Sequence, residues 1–325
     1  MNNYSFVLEK PPKYQTQPID HDGLWKSVIS KMFSEFLLFF APNLWEQVDF
    51  SKEPKFLQQE LFQIVTDKKK GRRIADQIVK VKLKNGKEEW ILVHIEVQGE
   101  SEPDFPERMF QYFYRIYDRY KQKIVAIAVI TITTPTTSAT TQSFHYSSFS
   151  TTLQYEYKNC KIFDYNEKEL DESNNVFSKI VLATQYMHKT KNDARKRYAF
   201  KIRIMRELIE SKQYSRTTMP AIFHFIDYLL RLPNELAKKL ATSIRTEITK
   251  EGNQMLQAKR EDLSPTLAEI MRLERKEGRE EGREKTKIHT AKKMLQINLD
   301  IEQIILVTGL TKEEVIKLKE SKFDK

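Results

Sequence analysis

The segment that decides the fold is a pair of strand-like stretches joined by an Asn-Gly turn, GRRIADQIVKVKLKNGKEEWILVHIEVQ, residues 71–98. Three polar residues stand where a sheet favours apolar ones. Asp76 lies near the start of the first stretch, and Glu96 and Gln98 close the second. A buried carboxylate is costly unless it is paired, hydrogen-bonded or bound to a metal. The segment therefore predicts two carboxylates and an amide that converge at one end of a hairpin.

Two turn geometries would give this hairpin two different registers. A two-residue Asn-Gly turn sets Asp76 opposite Ile95 and directs Glu96 to the other face of the sheet. A three-residue loop, with Gly86 left-handed in a bulge, sets Asp76 opposite His94, with Glu96 next along the same face. We expect the bulged loop, because it collects the Val, Ile and Leu residues on one apolar face, and the buried face sets the register.

From the residues alone, two interpretations of the polar side of this hairpin stay open. Diagonal neighbours on one face lie about 7–8 Å apart, so a cation would be able to bridge Asp76 and Glu96. The alternative is an edge hairpin with a solvated polar side, which Lys80, Lys82 and Glu88 favour.

The hairpin and its flanks resemble a nuclease family. Asp76 followed by Glu96-Val97-Gln98 resembles the core of the PD-(D/E)xK superfamily, in the form with Gln at the usual Lys position. HDGLWKSVISKMFSEFLLFFAPNL, residues 21–44, resembles the D-x-x-x-K helix that opens Rpn-type recombination-promoting nuclease/putative transposase proteins. FPERMFQYFYRIYDRYKQKIVAIAVIT, residues 105–131, resembles the helix and third core strand of that family, and the EGREEGREK tail is also typical of it.

This resemblance implies a fold, a reaction and a metal site. The fold would be α/β, a restriction-endonuclease-like PD-(D/E)xK core with a mixed central sheet flanked by helices, followed by a helical C-terminal region. The reaction would be hydrolysis of DNA by a Mg²⁺-dependent endonuclease, with Mn²⁺ as a substitute, linked to recombination or transposition of mobile elements. Asp76, Glu96 and the Val97 carbonyl would hold the metal. Gln98 would complete the catalytic set; its amide can orient a water but brings no charge.

Other polar residues are candidates for the edge of this site and for phosphate contacts. Asp22 and Lys26 match the family's opening helix, although an N-cap and a solvated lysine explain them equally well. His94 shares the predicted site face and would either tune the metal or simply pack. A stripe along the next helix would contact DNA phosphates or form an ordinary basic surface. The stripe consists of Arg108, Tyr112, Arg115 and Arg119.

Composition is compatible with a nucleic-acid enzyme. The 325 residues carry a net charge of +10 and the pI is about 9.3, which favours a polyanionic partner such as DNA, although many basic proteins have none. A single cysteine, Cys160, excludes an intramolecular disulfide and a thiolate metal cluster. The first residues lack the apolar core of a signal peptide, and no apolar run is long enough to span a membrane. We therefore expect a cytoplasmic protein without a membrane partner.

The pattern along the chain predicts four regions: a loose lead-in (1–20), an α/β domain (21–170), a helical region (171–270) and a tail (271–325). The resemblance implies that the second region is the PD-(D/E)xK nuclease-like domain. Within the second we expect a helix from about 22 to 40 led by Asp22, a helix after Pro106 and a buried strand at 124–132. A Thr/Ser-rich exposed loop or extended segment follows.

The tail is expected to contain a charged helix and a short helical hairpin. Capping boxes are expected at Asp300 with Gln303 and at Thr311 with Glu314. The hairpin would be a helix-turn-helix or a packing element. Nucleases that cut both strands often dimerise, so a homodimer through the charged helix is a further expectation. The rival to catalysis is an inactive DNA-binding or protein-interaction member of the same fold.

Overall fold

The computed structural model describes residues 19–57, 77–96, 104–131, 143–211, 218–250 and 264–320. Within these ranges, the side chains of Asp22, of residues 92–96 and of residues 249–250 lie outside the description. The chain divides into two compact units, with the boundary after Thr266. Of the Asp76, Glu96 and Gln98 set, only the backbone of Glu96 is therefore described.

The first unit is built on a mixed five-stranded sheet, which confirms the predicted α/β class. Its first three strands pair antiparallel, and the third, fourth and last pair parallel. In spatial order the strands are β1 (Lys55–Phe56), β2 (Gln77–Lys82), β3 (Glu88–Glu96), β4 (Ile124–Ile130) and β7 (Lys158–Lys161). A separate antiparallel pair, β5 (Ser143–Ser148) and β6 (Thr151–Glu156), shows that the end of the Thr/Ser-rich segment is extended rather than a loop.

The β2–β3 hairpin has the bulged register. Gln77 faces Val93 and Val79 faces Ile91, and the Leu83 N–H donates to the Lys87 carbonyl at 2.8 Å across a three-residue loop. Gly86 has a φ of +82°, the left-handed conformation that this loop requires. This pairing confirms the register prediction, and Val79 and Ile91 on the apolar face chosen for it are buried.

Nine α-helices are described that lie wholly within the first unit. They are α1 (His21–Lys31), α2 (Phe33–Phe40), α3 (Pro42–Trp45), α4 (Phe105–Tyr120), α5 (Glu167–Glu172), α6 (Val176–Lys189), α7 (Ala194–Glu210), α8 (Thr218–Leu229) and α9 (Asn234–Lys250). A tenth, α10 (Pro265–Gln296), crosses the boundary between the units. No helix among the described residues has the length and apolar character needed to cross a membrane.

Helix α4 links β3 to the parallel strand β4 and covers one face of the sheet. Its first turns pack on the end of β4, where Phe105 and Met109 meet Ile130 in a buried cluster. Its last turn reaches the opposite end of the strands, where the Tyr120 ring lies 4.6 Å from that of Trp90. The helix therefore runs antiparallel to β3 and β4, so its N-terminus lies at their carboxyl ends.

Helices α1, α6 and α8 pack together in a separate helical layer. The Trp25 ring lies 6.2 Å from that of Phe177 in α6 and 5.4 Å from that of Phe225 in α8. The layer is joined to β2 by a hydrogen bond of 3.2 Å from Nε2 of Gln77 to the carbonyl of Lys26. Successive side chains of a strand point to opposite faces of the sheet. Ile78 packs against α4, so the preceding residue, Gln77, and the α1 layer bonded to it lie on the other face.

The helix expected at 22–40 is two helices, and Asp22 does not cap the first. The cap is Asp20, whose Oδ1 accepts the Gly23 N–H at 2.9 Å. Glycine suits that position because a Cβ at residue 23 would lie 2.4 Å from Asp20 Oδ2. Met32, with a φ of −135°, separates α1 from α2, and α2 ends before Pro42 as predicted.

A buried ion pair holds α7, α8 and the start of α10 together. Lys201 Nζ lies 2.6 Å from Asp227 Oδ1 and also donates to the carbonyls of Asp227 and Leu230. The Asp227 carboxylate in turn accepts the backbone N–H of Thr266 at 2.5 Å and its hydroxyl at 2.7 Å. Both charges are almost completely buried, and their hydrogen bonds compensate for the lost water.

The second unit ends in two short helices, α11 (Ile301–Thr308) and α12 (Lys312–Glu320), joined at Gly309 with a φ of +66°. Thr311 and Glu314 form the predicted capping box. The box predicted at Asp300 is wrong, because its side chain makes no capping hydrogen bond within the described chain. A small core fixes the hairpin against the end of α10. It consists of Ala291, Leu295, Ile304, Leu310 and Val315.

Candidate functional site

The candidate site lies where the parallel strands β3 and β4 end. The backbone of Glu96, the last residue of β3, is in register with Ile130, the last residue of β4, and His94 is in register with Ala128. Thr131 follows Ile130 and is buried. We call the region formed by Glu96, Ile130 and Thr131 the carboxyl edge. It is also the end of the sheet at which α4 begins.

The predicted metal ligands cannot all be placed at this edge. Asp76, Val97 and Gln98 lie outside the described residues, as do the side chains of His94 and Glu96. Among the side chains that are described, no group of three or more His, Cys, Asp or Glu is arranged to hold a metal ion. The convergence of Asp76 and Glu96 on a metal therefore stays a prediction.

Helix α1 approaches the start of β2 through its backbone. The Lys26 carbonyl accepts the Gln77 side chain, and Gln77 directly follows Asp76 in the sequence. The Lys26 side chain is half-buried, and Asp22 is the second residue of the helix. The opening helix therefore lies next to the beginning of β2, on the sheet face opposite α4.

The predicted stripe on α4 is only partly exposed. Arg115 and Arg119 are exposed, and Arg119 Cζ lies 5.4 Å from the centre of the Tyr120 ring. Arg108 is half-buried, with its Cζ 5.4 Å from the centre of the Phe105 ring. Tyr112 does not belong to the exposed surface. It is buried against Ile78, because it lies on the side of α4 that faces the sheet.

A cluster of basic side chains lies close to the carboxyl edge and was not evident from the sequence. It consists of His21 in α1, His188 in the last turn of α6 and Arg231 just after α8; we call it the His21 cluster. Burial lowers the pKa of His21, and the charges of His188 and Arg231 lower it further, whereas Asp20 raises it. Positions so far apart in the chain give no local signal, so only the packing of the helices brings them together.

The direction of α1 explains this cluster. Trp25 contacts Phe177 near the beginning of α6, and His21, one turn earlier, is near His188 at the end of α6. The two helices therefore run antiparallel. The first turn of α1 consequently lies at the carboxyl ends of α6 and α8, where positive charges also interact favourably with the helix dipole.

His188 connects the cluster to the carboxyl edge. Burial lowers the pKa of His188, while a hydrogen bond to the backbone of Thr131 raises it. Its ring packs edge-on against Phe163 at 5.3 Å. Because Thr131 directly follows the residue in register with Glu96, the cluster borders the carboxyl edge.

Cys160 is not a candidate nucleophile. The thiol is buried in β7, and burial raises its pKa to about 11, so it stays protonated at neutral pH. Hydrolysis by this chain would therefore depend on an activated water rather than on a thiolate.

Comparisons of the chain with protein-family models, with curated proteins and with solved structures gave no match.

Proposed function

We propose that the chain is a metal-dependent DNA endonuclease of the PD-(D/E)xK type with its catalytic site at the carboxyl edge. The observation that supports this most strongly is the register of the β2–β3 hairpin. Continued by one pair beyond Gln77 and Val93, the same ladder would set Asp76 opposite His94 and diagonal to Glu96. Diagonal positions lie about 7–8 Å apart, and two carboxylates at that spacing can reach one ion.

The order of elements supports membership of the Rpn-type family. An antiparallel hairpin is followed by a helix across one face and by a strand parallel to the second hairpin strand. That is the arrangement implied by the resemblance of residues 76–131 to this family's core. We therefore include a role in recombination or in movement of mobile DNA in the proposal, with the cytoplasm as the compartment.

Each proposed site residue has a defined chemical role. Asp76, Glu96 and the Val97 carbonyl would hold Mg²⁺, or Mn²⁺ in its place, through the oxygen ligands that these ions prefer. The bound ion would supply charge neutralisation at the phosphate and a water of lowered pKa. Gln98 would orient the attacking water and donate to a phosphate oxygen. Because its amide carries no charge, we expect nearby arginines to supply the positive charge that the usual lysine provides.

The charge of the chain supports DNA as the substrate. Arg115 and Arg119 are exposed on α4, the helix that begins at the carboxyl edge. Contacts from such side chains to phosphates would position the strand without reading its sequence. Cutting both strands would require a second active site, and we propose a homodimer for that purpose.

Nicking of supercoiled plasmid in Mg²⁺ tests this function. We expect the wild type to nick the plasmid, and Asp76→Asn or Glu96→Gln to slow nicking by about 100-fold or more, the scale on which loss of one transition-state group acts. Glu88→Gln is the matched control. It neutralises a carboxylate of the same strand that pairs with Lys80 at 2.6 Å, far from the carboxyl edge.

The same assay separates the proposal from its rival. Nicking that survives both Asp76→Asn and Glu96→Gln would refute the metal site. Binding of DNA by the wild type without nicking, in Mg²⁺ and in Mn²⁺, would instead favour an inactive DNA-binding protein.

A further inference from the structure

We propose that His21, His188 and Arg231 form a phosphate-binding site beside the carboxyl edge, which holds a backbone phosphate next to the one that is cut. The inference rests on the proposed function for the identity of its ligand, a DNA strand. His21, His188 and Arg231 all belong to the described part of the first unit.

Two ring nitrogens of the cluster lack a hydrogen-bond partner. Nδ1 of His21 and Nε2 of His188 are buried, and neither is paired with any atom of the described part of the chain. Buried polar atoms in folded proteins are nearly always paired, and leaving one unsatisfied costs free energy. A phosphate would remove that cost by accepting a hydrogen bond from each ring. His188 donates from Nε2 only as the imidazolium, because its other ring nitrogen already bonds to the Thr131 backbone.

The charges around these rings favour an anion over a metal ion. Arg231 carries a permanent positive charge close enough to His21 to lower its pKa. A cation held by the two imidazoles would be repelled by that charge, whereas a phosphate would be attracted. The planar guanidinium also matches two phosphate oxygens at once. Asp20 opposes the effect weakly, because its carboxylate already accepts the Gly23 N–H at the N-cap.

The position of the cluster indicates that it would bind the phosphate next to the one that is cut. His188 hydrogen-bonds to the backbone of Thr131, and Thr131 follows Ile130, the register partner of Glu96. With adjacent strands about 4.8 Å apart and a rise of about 3.3 Å per residue, the backbone of Thr131 lies roughly 6 Å from that of Glu96. Because α1 lies on the sheet face opposite α4, a strand that crosses the carboxyl edge would bring a second phosphate to the cluster.

A binding measurement without metal tests this site apart from catalysis. A short fluorescent single-stranded oligonucleotide is titrated with the full chain in EDTA, and anisotropy gives the affinity. We expect His188→Gln and Arg231→Gln each to weaken binding by about tenfold, as expected for loss of a charge-assisted hydrogen bond. For Arg231→Gln we also expect the slope of log affinity against log salt to become shallower by about 0.7, the value for one phosphate contact to a single strand.

Lys168→Gln is the matched control for lost charge, because that lysine side chain is 82% exposed on α5. We expect it to leave both affinity and salt slope near the wild-type values. Equal losses in the control and the cluster variants would overturn the proposal, since they would show a general charge effect. Wild-type affinity and slope in both cluster variants would overturn it as well.

A measurement on the wild type covers the case in which a variant fails to fold. Histidine ring signals are followed by NMR through a pH titration, with and without the oligonucleotide. Bound phosphate favours the imidazolium form, so we expect the pKa of both His21 and His188 to rise. The groups whose charges act on these rings are His188, Arg231 and Asp20 for His21, and Lys191 for His188, so the two histidines are followed together. Unmoved pKa values at saturation would overturn the site, whether or not the chain nicks plasmid.

Discussion

At the scale of single residues, the strongest constraint in the described structure is the burial of charge. Lys201 and Asp227 are both almost fully buried, and their hydrogen bonds join α7, α8 and Thr266 at the start of α10. Burial by itself raises the pKa of Asp227, but the Lys201 ammonium and Thr266 hold it below its ordinary value. The carboxylate therefore stays ionised because its partners are in place.

This dependence predicts the effect of removing one partner. Lys201→Met should lower the free energy of unfolding by about 3–5 kcal/mol, because it leaves Asp227 buried without a counter-charge. Urea unfolding of the full chain, with Lys196→Met on the exposed side of the same helix as the control, gives the difference. A change below about 1 kcal/mol in Lys201→Met would contradict an obligatory pair.

Two local residue patterns could be predicted from the sequence, the capping box at Asp300 was predicted wrongly, and distant contacts could not be predicted. The left-handed Gly86 and the capping box of Thr311 with Glu314 depend on neighbours within three residues, which the sequence displays directly. The approach of His21 to His188 depends on how two helices pack. The burial of Tyr112 depends likewise on which side of α4 meets the sheet.

At the scale of elements, the hairpin was predictable because a turn signal and a two-residue apolar alternation agreed. The break between α1 and α2 at Met32 was not predictable, because apolar residues at helical spacing continue through that position. The strands β5 and β6 were only suggested, since Thr and Ser suit both loops and exposed strands. A pattern therefore predicts an element well only where a second signal marks its end.

The charged helix α10 gives a prediction at this scale. Gly278 and Gly282 lie in its interior, and a Cβ built at either would meet no described atom within 4 Å. Replacing each with Ala should therefore stabilise the helix by about 1 kcal/mol, the difference in helix propensity. Protection of α10 amides against hydrogen exchange should rise accordingly.

Gly309→Ala is the control for which the opposite result, destabilisation, is expected. Its φ of +66° is left-handed, so a side chain there should destabilise the α11–α12 hairpin by about 1–2 kcal/mol. If Gly278→Ala and Gly282→Ala instead weakened protection, another segment would pack closely against those glycines, and open space beside them would be the wrong interpretation of this part of α10.

At the scale of the whole molecule, the mixed sheet and the helices on either side of it follow from the order of strand and helix patterns. How the helical layers pack on the sheet does not follow from that order. One hydrogen bond, from Gln77 to the Lys26 carbonyl, joins the opening helix to the strand that follows Asp76, and nothing in either local sequence indicates it. The neighbourhood of the proposed metal site is thus a property of the folded chain.

A metal at that site should be measurable as stability of the whole first unit. A ligand that binds only the folded state, at about 100 times its Kd, adds about 2.7 kcal/mol to the free energy of unfolding. For a unit of this size that corresponds to a rise in Tm of about 5 °C or more. We therefore expect Mg²⁺ or Mn²⁺ to raise the Tm of the wild type and EDTA to reverse the rise.

The variants make this prediction specific. Asp76→Asn and Glu96→Gln should abolish the rise in Tm, while Glu88→Gln should retain it. Without metal, Asp76→Asn should have a Tm equal to or above that of the wild type, because two neighbouring carboxylates repel each other when no cation lies between them. A metal-dependent rise that is the same in Asp76→Asn and the wild type would mean that the ion binds elsewhere, since a site missing one of its two carboxylates cannot keep its affinity.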